Sequence, residues 1–430
     1  MATQTVLLPD DAPANDAVVR KIAILGFGTV GSSVARILIE EKPAGLELVQ
    51  VFNRNVDRKR AAWVGSSVQW TQKFDDVLNS DANVVVELMG GVEPAKQWIT
   101  AVLESGKSVV TANKQLIARH GTELCEVAYR NGSQLLFGAS VAGGVPVITA
   151  LEQGLSGDRI HSICGILNGT CNYILSKMEE GLPFSAALKQ AQELGYAEAD
   201  PTDDVDGYDT RAKLVILARI ALCADISLDQ VACASISSIT PVDFEYARAL
   251  GCTIRQVGEA EVNGNSSYAA VQPMIVPQDS PLARAKGCEN VVITSGKFGG
   301  NNAFSGPGAG GDATAVAVLS DLLSLSHSRG TQPIRRSRRF VAAEDCSASF
   351  FLRFVVKDRP GIVASIAAVL AKFEINLDAV FQKPGYDKDQ LPFVVTVEPC
   401  GAAKLDAALQ EISRFDFLLE SPLKLRIFGR

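Results

Sequence analysis

The stretch Lys21-Ile22-Ala23-Ile24-Leu25-Gly26-Phe27-Gly28-Thr29-Val30-Gly31, continuing into residues 32–40, decides the fold. Residues 21–25 form a short, mostly apolar run that suits a strand buried on both faces. Three glycines follow with the spacing G-x-G-x-x-G, and an amphipathic segment comes directly after them. In this order the first glycine permits a tight turn and the second lets backbone approach a pyrophosphate. The third allows the helix to pack closely on the strand, while the helix N-terminus offers unpaired N–H groups and a positive dipole end. Gly26, Phe27, Gly28, Thr29, Val30 and Gly31 are therefore the first candidates for a dinucleotide site.

Working outward, residues 46–53, 84–88, 108–111 and 134–137 read as further strands, with helical spacings at 95–104 and 115–131. Strands alternating with helices predict an α/β fold: a Rossmann-type doubly wound parallel sheet over residues 18–138. NAD-preferring sites usually place an acidic side chain at the end of the second strand, where it accepts from the ribose hydroxyls. Here Asn53 stands there, followed by Arg54 and soon by Arg58, Lys59 and Arg60. A neutral residue beside cations favours the 2′-phosphate of NADP and still admits NAD. The alternative is a set of solvated surface arginines.

Beyond residue 139 the pattern changes to glycine-rich turns and long helices at 171–180, 185–195 and 208–224, with a strand-like stretch at 268–293. A dense glycine loop at 306–311 opens a helix at 312–325, expected to return to the dinucleotide domain. Residues 139–327 thus read as a second, α+β domain. Residues 328–345, with Arg335, Arg336, Arg338 and Arg339, read as a solvated linker. Residues 346–430 follow the order β-α-β-β-α-β, which defines a ferredoxin-like module.

Composition limits the function classes. A chain of 430 residues holds several domains, and 47% hydrophobic with 21% charged residues is the balance of a globular protein. The formal net charge of −7 argues against binding nucleic acid over the whole surface. Nine cysteines without CxxC spacing read as reduced thiols in a cytoplasmic protein. No stretch has the length and apolarity of a signal peptide or a membrane span.

The densest chemistry lies in Gly195-Tyr196-Ala197-Glu198-Ala199-Asp200-Pro201-Thr202-Asp203-Asp204-Val205-Asp206-Gly207-Tyr208-Asp209. Read as a calcium loop with Gly207 at the sixth position, it would put Lys213 where a bidentate glutamate is needed, which opposes calcium. A loop that holds a substrate ammonium is the other reading, with Glu198 and Asp209 giving charge-assisted hydrogen bonds. Asp209 and Lys213 are four apart, hence on one helical face, and could equally form an ordinary surface ion pair.

Gly165-Ile166-Leu167-Asn168-Gly169-Thr170-Cys171-Asn172-Tyr173, followed by the acidic loop and its helix, resembles the signature region of homoserine dehydrogenase. The similarity extends to GFGTVG, to ELMGG at 87–91, TANK at 111–114, SVAGGVP at 140–146 and GPGAGG at 306–311. The last module, with Asp358-Arg359-Pro360-Gly361-Ile362 between its first strand and first helix, looks like an ACT domain, as in the long bacterial form of that enzyme. The resemblance implies that Lys114 and Lys213 are catalytic and that Glu198, Asp209 and Asp204 bind the substrate amino group. It also implies cofactor contacts at Phe27, Thr29, Val30, Gly90, Lys114, Gly195 and Gly310. A structural sodium ion on the backbone carbonyls of Val141, Gly143 and Val145 is implied as well, with Gly138 standing where the family usually has a glutamate.

The reaction so implied is the reversible NAD(P)H-dependent reduction of L-aspartate 4-semialdehyde to L-homoserine, in threonine, methionine and isoleucine biosynthesis. L-threonine is the expected effector at the ACT domain, and the assembly a homodimer or homotetramer formed through residues 139–327, the implied α+β substrate and dimerisation domain. Lys213 is expected to donate the proton and Lys114 to polarise the carbonyl, or the reverse, with burial or the second cation lowering a lysine pKa. Deleting the chain after about Arg339 is expected to relieve threonine inhibition. Two rival readings are a non-catalytic amino-acid sensor on a dehydrogenase scaffold and a phosphorylating semialdehyde dehydrogenase. The latter needs a cysteine nucleophile, for which Cys164 and Cys171 are candidates, and a histidine base such as His161.

Overall fold

A computed structural model describes residues 19–264, 266–325, 338–340 and 347–429. Six strands form the first sheet: β1 (Arg20–Leu25), β2 (Leu46–Phe52), β3 (Gln69–Thr71), β4 (Val84–Glu87), β5 (Ser108–Thr111) and β6 (Leu135–Leu136). Their order in space is β3-β2-β1-β4-β5-β6, and every pairing is parallel. Ile22, Ala23, Ile24 and Leu25 are fully buried, as are Val84, Val85 and Val86, because helices cover both faces. The strand order reverses between β1 and β4, and such sheets bind ligands in the crevice beyond that point. The helix Thr29–Glu40 covers one face together with Gly311–Ser324, where Val34, Ala35 and Leu38 share a core with Ala315, Val318 and Leu322.

Five strands, Ile160–Ile166, Cys252–Asn263, Ser266–Pro277, Glu289–Gly296 and Gly300–Pro307, build an antiparallel second sheet. The strand-like stretch at 268–293 divides into two strands around the short helix Pro281–Arg284. Cys252–Asn263 is a strand that the sequence did not announce, since Arg255, Gln256 and Glu259 break its apolar pattern. Arg255 is nevertheless only 2% exposed, held by Glu179 Oε2 at 3.0 Å. Behind this sheet, the helix Tyr208–Ala221 packs along the helix Lys114–Arg130. Leu116, Ile117 and Leu124 lie in one apolar cluster with Leu214, Val215 and Leu217, and Arg219 Nη1 donates to the Ile117 carbonyl at 3.3 Å.

The last module has the expected order: strand Ser347–Val356, helix Ile362–Lys372, strands Leu377–Phe381 and Leu391–Gly401, helix Ala402–Ile412 and strand Leu423–Ile427. It is less separate than its sequence rhythm suggests. Leu423–Ile427 pairs antiparallel with Ser347–Val356 on one side and parallel with Ser266–Pro277 on the other, with Met274 opposite Arg426 and Ile275 opposite Ile427. The two sheets are thus one. Phe351, Val394, Leu425 and Ile427 share a core with Ile174, Phe244, Tyr246 and Ile254 of the preceding domain. Arg353 Nη1 also meets the fully buried Asp243 at 2.6 Å. The linker expected at 328–345 falls mostly outside the described residues; within it, the backbone of Arg338–Arg339 pairs in parallel with Ala224–Asp225. No helix among the described residues is long and apolar enough to cross a membrane.

Candidate active site

The glycine loop has the shape that its sequence demands. Gly26 has φ +103°, and a Cβ there would lie 2.8 Å from the Leu88 carbonyl oxygen; one on Gly31 would lie 2.1 Å from the Gly26 oxygen. Both positions exclude a side chain. Gly28, by contrast, faces open space, and the helix Thr29–Glu40 starts there without a side-chain cap. Its first N–H groups are therefore available to an anionic ligand, so the cradle fits a pyrophosphate. The Asn53 Oδ1 accepts from the Asn55 N–H at 2.9 Å, which commits that side chain to its own turn. Arg54, Arg58, Lys59 and Arg60 are exposed, and none has a carboxylate partner among the described residues. Gly90 (φ +74°) lies in the loop after β4, while Gly195 (φ +75°) and Gly310 (φ +119°) precede the acidic loop and the helix Gly311–Ser324.

Glu87, which sequence reasoning passed over, ties this crevice to the catalytic candidates. It ends β4 fully buried, and its carboxylate accepts from Thr111 Oγ1 at 2.6 Å and from the Met89 N–H at 2.8 Å. Weaker contacts come from the Gly90 N–H at 3.3 Å and Asn113 Nδ2 at 3.4 Å. Burial pushes the Glu87 carboxyl up, with these donors opposing it. Asn113 in turn caps the helix Lys114–Arg130 by accepting from the Leu116 N–H at 3.1 Å. Lys114 is thus the first residue of a helix fixed at the mouth of the sheet.

Across the mouth, the helix Tyr208–Ala221 presents Asp209 and Lys213 to it. Lys114 Nζ lies 2.5 Å from Asp209 Oδ1, and Lys213 Nζ donates to Asp209 Oδ2 at 2.7 Å and to the Leu167 carbonyl at 2.8 Å. Asp209 and Lys213 are no surface pair, since the Asp209 side chain is 6% exposed and that of Lys213 12%. Burial alone would push the Asp209 carboxyl up, but the charges of Lys213 and Lys114 and their hydrogen bonds hold it well below the usual carboxylate range. Burial likewise pulls the Lys114 ammonium down, yet the charge and contact of Asp209, with smaller help from Asp204 and Asp203, leave it above the ordinary lysine range. The expected depression of a lysine by a second cation is therefore reversed at Lys114, because the counter-ion sits between the two lysines.

Asp204 joins the group through Asn168, whose Nδ2 donates to Asp204 Oδ1 at 2.6 Å and to Asp209 Oδ2 at 2.9 Å. Burial pushes Asp204 up, with Asn168 opposing the shift and Asp209 adding to it. Glu198 lies elsewhere on the loop: it is exposed, and its backbone carbonyl accepts from Gln192 Nε2 at 3.1 Å. At the loop proposed for sodium, Val141 and Val145 are buried and Gly143 has φ +47°. A Cβ on Gly138 would lie 2.7 Å from Asp321 Oδ1, and the Gly138 N–H donates to Asp321 Oδ2 at 2.8 Å. The Asp321 carboxyl, pushed up to about 7 by burial, therefore occupies the space where a side chain at 138 would begin.

The cysteine chemistry has no footing here. Burial pushes the Cys164 thiol up to about 12 and Cys171 well above its ordinary value, whereas a nucleophile must be a thiolate.

Comparison with known proteins shows the family. The family described as homoserine dehydrogenase, NAD binding domain, matches residues 26–138; homoserine dehydrogenase matches 146–323; and the ACT domain matches 350–417. The homoserine dehydrogenase of Bacillus subtilis (strain 168) is 36% identical over 425 residues, covering 95% of this chain and 98% of its own. The crystal structure of a homoserine dehydrogenase from Thiobacillus denitrificans superposes with a TM-score of 0.87 at 34% identity, covering 95% of this chain and 98% of that one. A hyperthermophilic archaeal homoserine dehydrogenase in complex with NADPH superposes with a TM-score of 0.63 at 25% identity, covering 73% of this chain and 99% of its own. With a glycine cradle at β1, two lysines around one buried carboxylate and these relatives along nearly its whole length, the chain belongs to the homoserine dehydrogenase family.

Proposed function

We propose that this protein reversibly reduces L-aspartate 4-semialdehyde to L-homoserine, with NADP favoured over NAD. The observation that carries the reading is Asp209 buried between Lys114 and Lys213 at the mouth of the dinucleotide crevice. A nicotinamide cofactor, once bound, exchanges a hydride with the aldehyde carbon. The growing alkoxide then needs a proton, and Lys213, nearly buried, is the donor. Lys114, more exposed, polarises the same oxygen. Asp209 keeps both ammonium groups oriented without leaving buried charge unpaired. Glu198 and Asp209, with Asp204 supporting them, are proposed to hold the substrate ammonium. The exposed cations Arg54, Arg58, Lys59 and Arg60 support a 2′-phosphate, as does the NADPH complex of the archaeal relative.

The proposed division is residues 18–138 for the cofactor, 139–327 for substrate, and 346–430 for regulation. L-threonine is the proposed inhibitor. A cavity of about 230 Å³ lined by Asp358, Arg359, Gly361, Ile362, Gln382 and Phe393 supports a ligand of amino-acid size. Sodium is proposed on the carbonyls of Val141, Gly143 and Val145, with the Asp321 carboxyl beside Gly138 as a charge that ionises near neutrality. NADPH oxidation by aspartate semialdehyde, with and without phosphate and threonine, tests the reading. Turnover independent of phosphate and lowered by threonine is expected. No turnover would leave the sensor reading, and phosphate-dependent reduction of NADP+ by the semialdehyde, in place of NADPH oxidation, the rival dehydrogenase.

A further inference from the structure

Asn168 takes no part in the chemistry above, yet its side chain makes more contacts with the lysine–carboxylate group than any sequence motif suggested. It stands between the strand Ile160–Ile166 and the helix Gly169–Glu179 and is only 5% exposed. Both of its amide N–H groups have a carboxylate to meet, Asp204 Oδ1 at 2.6 Å and Asp209 Oδ2 at 2.9 Å. Its Oδ1 accepts from the Cys171 N–H at 2.8 Å and caps the helix. The preceding residue supports the same group, since the Leu167 carbonyl accepts from Lys213 Nζ at 2.8 Å and from Asn290 Nδ2 at 3.1 Å.

We infer that Asn168 is a positioning residue: its amide separates Asp204 from Asp209 and fixes the Asp209 carboxylate so that one oxygen faces each lysine. The inference rests on the proposed function and deepens it. Two neighbouring carboxylates repel, and a neutral amide with two donors can bridge them without adding charge. A cation at position 168 would compete with Lys114 and Lys213 for Asp209. An anion would repel both carboxylates. With Asn168 and Lys213 sharing Oδ2, the other oxygen is left for Lys114 at 2.5 Å. The charged groups facing this amide are thus Asp204 and Asp209 directly and Lys114 and Lys213 behind them, with Asp203 acting on Lys114.

Two variants separate positioning from capping. Serine and aspartate cap helices about as well as asparagine, so Asn168→Ser and Asn168→Asp both keep the helix N-terminus. Asn168→Ser has no amide to reach the carboxylates. We expect its kcat to fall about 10- to 100-fold while the NADPH dissociation constant, read by nucleotide fluorescence, stays within about twofold. Asn168→Asp can donate only when protonated, so its activity should recover as pH falls, moving its optimum at least one unit to the acid side of the wild type. A kcat within twofold of wild type in a folded Asn168→Ser overturns the inference. So does an Asn168→Asp pH profile parallel to the wild type, whatever happens to the serine variant. A crystal structure of either variant with Asp209 still touching both lysines would also overturn it, and that readout does not depend on which substrate the enzyme takes. Failure of the wild-type chain to oxidise NADPH with the semialdehyde would instead refute the proposed reaction.

Discussion

Ending the chain after Arg339, which the sequence alone recommends as a clean way to remove a sensor, should destroy the enzyme instead. The deletion strips Leu423–Ile427 from the edge of Ser266–Pro277 and takes Phe351, Val394, Leu425 and Ile427 out of a core shared with Phe244, Tyr246 and Ile254. Each fully buried apolar side chain of that size is worth about 1.5–3 kcal/mol, so four of them represent roughly 6–12 kcal/mol of lost packing. Arg353 goes as well, so Asp243 loses its cation and the strand that covers it. The whole stability of an ordinary domain is about 5–15 kcal/mol. The truncated chain is therefore expected to be insoluble, or to melt far below the full chain and aggregate through the exposed Ser266–Pro277 edge. Expression with a solubility assay, followed by thermal unfolding and NADPH oxidation on any soluble fraction, measures this directly. A soluble truncated protein with wild-type melting temperature and turnover would refute the shared-core reasoning.

Other perturbations act on the site itself. Lys213→Ala leaves Asp209 paired with Lys114, so the protein should fold and bind NADPH while turnover drops about 10²- to 10⁴-fold; near-wild-type activity would reject Lys213 as the proton donor. Glu87→Ala orphans the Thr111 hydroxyl and the Met89 and Gly90 N–H groups, and should lower stability by roughly 2 kcal/mol or more in denaturant titrations, with a raised KM for NADPH. For Asp209 the folded carboxyl lies below its ordinary value near 3.8, so its contribution is fully present above that pH and is lost as pH falls through the folded value. The stability gap between wild type and Asp209→Asn should accordingly be level from pH 5 to 9 and narrow only on acidification below about pH 4. A gap that widens there would contradict the ion-pair assignment.

Much of this was readable in the chain. The runs at β1, β4 and β5 are apolar because both of their faces are buried, and each ends in a motif that sits at the crevice. Lys114, Asp209 and Lys213 came from motifs and meet within hydrogen-bonding distance. Other features escaped for identifiable reasons. Gln69–Thr71 is a three-residue edge strand, too short for any period to show. Cys252–Asn263 hides because its buried Arg255 reads as exposed until Glu179, far away in sequence, neutralises it. The junction of Ile275 with Ile427 depends on a pairing between segments that carry no local sign of each other. Asn168 could have been found as an asparagine three residues ahead of a helical N–H, but nothing local reveals the two carboxylates that its amide meets.

The apolar seam between the helices Lys114–Arg130 and Tyr208–Ala221 has a consequence for turnover. Leu116 and Ile117 pack in one cluster with Leu214 and Leu217, which fixes the two helix backbones that carry the lysines independently of their charges. Ionic strength should therefore change the site's charge balance without changing its dimensions. If Lys213 is the proton donor proposed above, its hold on Asp209 weakens in the neutral form while the packed scaffold keeps the amine where it can be recharged. The same two helices would keep the oxygen-binding point in place through both directions of a reversible reaction.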